Sequence, residues 1–272
     1  MPAGGRPVTV PNEPPSVVLL GDRSAATASV AHALEAHLGG RASLTVFVEE
    51  SPSRLGLARR RARRLGWWKV TGQMAFVGVV MPLLHWRGRR RVLQIARDHD
   101  LDLTPVRNPI LVGAVNDEGT IALLGQASPT VVVVHGTRII SRAVLGAIGV
   151  PVLNVHAGVT PRYRGVHGGY WALREGRPDL AGSTVHLVDP GVDTGGILAQ
   201  ATFAPHGADS IATYPFLHLA CAIPLLLGQV DAVLAGGCPE TVAPLPGAEH
   251  SQLRWHPTAW DYLVARRRAG VR

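Results

Sequence analysis

Three polar side chains stand where the chain could stabilise a developing negative charge. Asn154 and His156 lie two positions apart at the end of the apolar run Val152–Val155. Residues two apart on a strand point the same way, so both would face one side of a sheet. An amide donor beside an imidazole suits stabilisation of an oxyanion. Asp193 comes 37 positions after His156, within Asp189-Pro190-Gly191-Val192-Asp193-Thr194-Gly195-Gly196, where glycines allow close approach to a ligand. Set against His156, its carboxylate would orient the ring and raise its pKa. The plainer alternatives are an asparagine serving local backbone, a packed core histidine and an ordinary turn with solvated aspartates. Just beyond the strand, Arg162 and Arg164 could bind phosphate or carboxylate at a pocket mouth, or form a solvated basic loop. Tyr163, His167 and Tyr170 could line an acceptor site or simply pack.

The elements that would position these groups read as α/β. Ser16–Leu20 is a short buried strand, a helix follows over Ala25–His37 and stops at Gly39-Gly40, and Leu44–Val48 is a second strand. Strand–helix–strand order implies a parallel sheet. The turn GDRSAATAS lacks the glycine spacing of a dinucleotide site. Val106 is a candidate short strand, and Asn116-Asp117-Glu118 can start a helix to about Gln126. Val131–Val134 is the clearest strand, continuous, β-branched and so central. A helix around Ile140–Ile148 leads to Val152–Val155. A loop over Ala157–Gly169, a helix Tyr170–Glu175, strands Thr184–Val188 and Ile197–Phe203, and a long apolar helix Ser210–Leu234 containing Pro224 complete the pattern. Leu253–Leu263 reads as an extra helix or packed loop. The organisation expected is a flexible leader over 1–15, a domain over 16–236 with a basic helical insert at about 52–98, and a short tail over 237–272.

Bulk properties narrow the function classes. Hydrophobic residues make up 46% of 272, enough for a sizeable core, and the formal net charge of +8 favours anionic partners. Cys221 and Cys238 are too few for a disulfide framework and fit no metal spacing, so reduced structural thiols, no metal site and a cytoplasmic protein are expected. The apolar run Met74–Leu84 is too short to span a bilayer. It is flanked by Arg60, Arg61, Arg63 and Arg64 and by Arg87, Arg89, Arg90 and Arg91. A core helix with solvated ends is its plain reading, and peripheral membrane contact is the alternative.

The stretches VLNVHAGVTPRYRGVHGGYWAL (152–173) and GSTVHLVDPGVDTGGILAQ (182–200), preceded by VVVVHGTRIISRAVL (131–145), resemble the formyl-tetrahydrofolate-dependent formyltransferase family. The family includes glycinamide ribonucleotide, methionyl-tRNA and nucleotide-sugar formyltransferases. The likeness is strong over 131–200 and weaker over 16–130 and 201–235. It implies a Rossmann-like formyltransferase fold with a mostly parallel central sheet. It also implies 10-formyltetrahydrofolate as co-substrate and Asn154, His156 and Asp193 as the catalytic set. Gly136, Thr137, Arg138, Ile139, Val188, Asp189, Gly191 and Gly195 would hold the folate, and Arg162, Tyr163, Arg164, His167 and Tyr170 the acceptor. No metal is implied, and a homodimer is within the family's habit.

Departures bear on the acceptor. Ala157-Gly158-Val159-Thr160-Pro161 replaces the family's Pro-Ser-Leu-Leu-Pro loop, and the first turn lacks the purine enzyme's phosphate loop. The short expected tail argues against the RNA-binding domain of the methionyl-tRNA enzymes, and no room is expected for the regulatory domain of formyl-folate hydrolases. A small-molecule amine, phosphorylated or nucleotide-linked, is the expected partner, with an amino sugar on a nucleotide carrier first and glycinamide ribonucleotide or another small amine as the alternative. A basic nucleic-acid-binding module is the competing class. It would need the arginines on one continuous face, and no nucleic-acid motif accompanies them.

Overall fold

The computed structural model describes residues 14–50 and 66–271. The expected leader lies outside these residues apart from its last two positions, as do Arg60, Arg61, Arg63 and Arg64.

Seven strands form one sheet. In chain order they are β1 (Ser16–Asp22), β2 (Ser43–Glu49), β3 (Ile110–Val112), β4 (Val131–His135), β5 (Val152–His156), β7 (Gly182–Leu187) and β8 (Ile197–Thr202), with spatial order β3-β2-β1-β4-β5-β7-β8. The first five are parallel, whereas β7 runs antiparallel to β5 and β8 antiparallel to β7. β4 sits at the centre, and its valines alternate between the two faces. Val131 and Val133 join Val17 and Leu19 under helices α1 (Ala25–Leu38) and α7 (Tyr214–Leu234). Val132 and Val134 join Val18 and Leu20 under α4 (Glu118–Ala127) and α5 (Arg142–Ile148). Burial on both faces explains why these strands read as unbroken apolar runs.

Local chemistry fixes the helix ends. Ser24 Oγ accepts the Thr27 N–H at 3.1 Å, and Gly39 closes α1 with φ 53°. Ser141 Oγ caps α5 through the Val144 N–H at 3.3 Å. The strand expected at Val106 falls instead on Ile110–Val112. Pro105 and Pro109 bracket Val106, and Asn108 turns at φ 50°, so the chain cannot ladder there. α7 has the length and composition of a membrane-crossing helix, but Leu217, Ala222, Leu226 and Val230 pack it into the core.

The insert is one continuous helical rod. α2 (Trp67–Ala75) passes through a π-helical turn (Phe76–Val80) into α3 (Met81–Asp98). It is not the core helix that its apolar run suggests. Phe76 and Leu84 are buried, while Met74, Val77, Val79 and Leu83 are exposed. Nor is Arg91 a solvated flank: its Nε and Nη2 donate to Asp209 at 2.7 and 3.1 Å, pinning α3 to the chain just before α7.

The C-terminal segment is built into the domain. β9 (Leu253–Arg254) pairs in parallel with β6 (Arg164–Gly165). α8 (Ala259–Ala269) buries Tyr262 against Phe76 and Tyr170, with ring centroids 5.5 and 6.1 Å apart. α6 (Gly168–Arg174) completes this corner, where Trp171 Nε1 donates to Trp255 O at 3.2 Å.

Candidate active site

β5 ends at the C-terminal edge of the parallel strands, where open α/β sheets bind ligands. Its neighbour β7 is antiparallel, and the register sets Asn154 opposite His186 and His156 opposite Thr184. That pairing creates an unforeseen link. Asn154 Nδ2 donates to His186 Nε2 at 3.0 Å, and His186 Nδ1 donates to Leu187 O at 2.7 Å. One N–H of the amide is thereby fixed.

His156 is nearly inaccessible, with 6% of its surface exposed. Its Nε2 donates to Tyr163 O at 2.8 Å, and its Nδ1 lies 3.3 Å from Asp193 Oδ1. Gly158 permits this fit, because a Cβ there would stand 2.3 Å from Tyr163 O and 2.8 Å from His156 Nε2. The loop carrying Gly158 is tied down in turn: Thr184 Oγ1 donates to Gly158 O at 2.8 Å, and Gln200 Nε2 donates to Thr160 O at 2.7 Å.

Asp193 adopts φ 50°, a left-handed conformation that aspartate tolerates. Its Oδ2 accepts the Gly165 N–H at 2.8 Å, and Oδ1 lies 3.7 Å from His186 Nε2. Burial pushes this carboxyl up, but His156, His186 and the Gly165 N–H outweigh it and hold the pKa at about 2. Gly165 is placed by β9. With φ 92°, it lies so close to Arg254 that a Cβ would come 2.2 Å from Arg254 O.

The expected rise in the His156 pKa is reversed. Burial drives it below the ordinary imidazole value, against the pull of Asp193 and the Tyr163 carbonyl. Desolvation of the charged ring outweighs one neighbouring carboxylate. Burial thus biases the ring toward its neutral form beside an anionic carboxylate.

Asn154, His156, Asp193 and His186 line one cavity of about 450 Å³. Six of the eight expected folate-side residues line it as well: Gly136, Thr137, Ile139, Val188, Asp189 and Gly191. Arg138 does not, because its Nε lies 3.2 Å from Glu49 Oε1 and its Nη2 donates to Glu50 O at 2.6 Å. Gly195 does not either. It packs against Leu187 O, where any Cβ would collide, and borders a separate depression. His135, Leu253, Arg254 and Trp255 also line it and were absent from the expected set.

A second chamber of about 250 Å³ shares Ala157, Gly165 and Val166 with the first. His167, Tyr170, Tyr214, His218 and His256 line it. Arg162, Tyr163 and Arg164 are missing from both spaces. Arg162 donates to Gly247 O at 2.9 Å and pairs with Glu175, Tyr163 is buried with its hydroxyl donating to Glu175 at 3.0 Å, and Arg164 donates to Ser251 at 2.7 Å. Burial holds His167 and His218 neutral, each with a pKa of about 3. His218 faces Ser183 Oγ through Nδ1 at 2.9 Å, and its buried Nε2 meets no partner among the described residues.

Comparison with known proteins follows the same residues. Residues 112–214 match the family described as formyl transferase. The chain is 32% identical over 174 residues to the methionyl-tRNA formyltransferase of Pelotomaculum thermopropionicum, covering 60% of this chain and 53% of that protein. It is 31% identical over 205 residues to that of a Cyanothece species, covering 67% of this chain and 58% of that protein. The chain thus spans a little over half the length of these curated relatives. In fold it is similar to a sugar N-formyltransferase from a Shewanella species, with TM-score 0.54 and 12% identity over 86% of this chain and 76% of that one. It is likewise similar to the phosphoribosylglycinamide formyltransferase of Anaplasma phagocytophilum, with TM-score 0.54 and 16% identity over 89% and 98%. The β4–β6 segment that carries Asn154 and His156 lies inside the matched region, so this part of the chain is similar to a formyl transferase domain.

Proposed function

We propose that the protein moves a formyl group from 10-formyltetrahydrofolate to a primary amine of a small molecule. The observation that carries this reading is the convergence of Asn154, His156 and Asp193 in one cavity. The larger cavity suits the folate: Val134, Ile139, Ile140 and Val188 supply apolar walls for a flat ring, and the backbone at Gly136 and Thr137 supplies polar edges. The adjoining chamber suits the amine.

The chemistry is direct acyl transfer. The amine attacks the formyl carbon, and negative charge collects on the formyl oxygen. Asn154 donates its remaining N–H to that oxygen. The attacking nitrogen becomes acidic as its bond forms, and the Asp193–His156 pair takes up its proton, directly or through water. The imidazolium formed then lies between Asp193 and the Tyr163 carbonyl. It stabilises the oxyanion and returns the proton to the departing folate nitrogen. His186 acts as a positioning residue through Asn154. A neutral His156 at rest is required, since an imidazole already charged could not accept that proton.

Neutral His218 offers a lone pair to an N–H of the incoming amine or to a sugar hydroxyl. An amino sugar is the acceptor we place first. Because Arg162 and Arg164 are committed elsewhere, any carrier phosphate would meet the protein outside the chamber. The test is incubation with 10-formyltetrahydrofolate and a panel of nucleotide-linked amino sugars, glycinamide ribonucleotide and methionyl-tRNA, with products read by mass. A one-formyl gain on one acceptor, lost in His156→Ala, supports the reading. Folate release without a formylated amine means that water is the acceptor, and no turnover with any acceptor refutes the proposed activity.

A further inference from the structure

The rod formed by α2, the π-helical turn and α3 turns an apolar, tryptophan-bearing face to solvent. Trp67, Trp68 and Trp86 are 67%, 82% and 67% exposed, and Met74, Val77, Val79 and Leu83 are exposed between them. From Trp67 to Trp86 the strip runs about 30 Å at a rise of about 1.5 Å per residue. α8 widens it. Trp260 lies on Gly72 and 6.3 Å from Trp68, and Leu263 and Val264 follow on the same helical face. Exposed apolar area of this extent marks an interaction surface.

Charge identifies what covers it. Lys69, Arg87, Arg89 and Arg90 on the rod and Arg266, Arg267 and Arg268 on α8 are all exposed. From Ser51 to Arg97 the sequence contains no Asp or Glu. Tryptophan and aliphatic side chains bordered by arginine are the composition of helices that lie in a lipid interface. RNA would engage the arginines but leave Met74, Val77, Val79 and Leu83 uncovered. A two-fold dimer through this face would set its arginines near one another.

We propose that this face docks on an anionic lipid bilayer. The rod is rigid enough for the task, being pinned by the Arg91–Asp209 pair and by Gln73 Nε2 donating to His256 O at 2.8 Å. Its inner side supports the smaller chamber, where Phe76 meets His167 edge-on at 6.2 Å. Docking therefore sets that chamber beside the lipid headgroups, and it holds whether or not the reaction is formyl transfer.

Flotation of the purified protein with phosphatidylcholine vesicles, with and without phosphatidylglycerol, tests this directly. The protein should rise only with the anionic vesicles, and less as salt is added. The triple variant Arg87→Glu/Arg89→Glu/Arg90→Glu should lose at least about fivefold in partitioning per arginine, the equivalent of about 1 kcal/mol for each cation near such a surface. Trp67→Ser/Trp86→Ser should also release the protein, with its thermal melting retained. No flotation with either vesicle overturns the proposal, as does flotation indifferent to both variants. Without vesicle binding, arginine-dependent capture of single-stranded RNA would assign the face to nucleic acid. A dimer abolished by the tryptophan variant would assign it to a second copy. Either result rejects a lipid partner.

Discussion

At the scale of the residue, the site joins one anionic carboxylate to a histidine kept neutral. If His156 must begin neutral, kcat/KM should stay level from pH 8 down through the ordinary imidazole range of about 6.5. It should fall only below that range, because burial lowers the pKa of this ring. A pH–rate profile with its acid limb above the ordinary value would contradict the mechanism. Asn154→Ala should cost about 10²–10³ in kcat, the usual loss for one oxyanion donor. His186→Ala should lower kcat by about tenfold with KM nearly unchanged, since it frees the Asn154 amide without touching substrate. Asp193 also links the site to stability. Its folded pKa of about 2 lies below the unfolded value, so its contribution is complete above both and is lost as pH falls toward 2. In acid titration, the stability gap between wild type and Asp193→Asn should be constant above about pH 5 and close on the way down.

At the scale of the element, the sequence was legible where one rule decided the outcome. Val131–Val134 could only be a doubly buried strand, and the two-residue spacing of Asn154 and His156 set both on one face. It was silent where register decides. His186 stands in an ordinary β-branched strand, and only the antiparallel pairing of β7 with β5 brings it to Asn154. The distant pairing of β6 with β9 is equally unwritten, and with it the placement of Gly165. The arginines misled because charge was visible but commitment was not: Arg138, Arg162 and Arg164 each have protein partners. The apolar run of the insert misled for a different reason, because composition cannot say which side of a helix faces solvent. Phe76, which is fully buried between α8 and the small chamber, tests the packing of this corner. Phe76→Ala should cost about 3–5 kcal/mol by chemical denaturation.

At the scale of the whole molecule, distant parts of the chain meet around two connected spaces. The large cavity belongs to the parallel sheet and its first antiparallel neighbour, while the smaller one is walled by α6, α7 and the chain before α8. The insert holds this second wall from outside. Breaking the ion pair with Arg91→Ala would leave the Asp209 carboxylate only the His206 N–H and the Thr213 hydroxyl as donors and cost about 1–3 kcal/mol. Thermal unfolding measures that loss, and on the proposed assignment KM for the amine should rise before KM for the folate, because Asp209 lies two residues before Ile211, which lines the smaller chamber.

The two-residue ladder between β6 and β9 joins positions 89 apart in sequence. A nascent chain released from the ribosome only as far as β8 already contains Asn154, His156 and Asp193, yet lacks the strand that seats Gly165 against the carboxylate. The Gly165 N–H bond to Asp193 therefore waits on a segment 89 positions downstream.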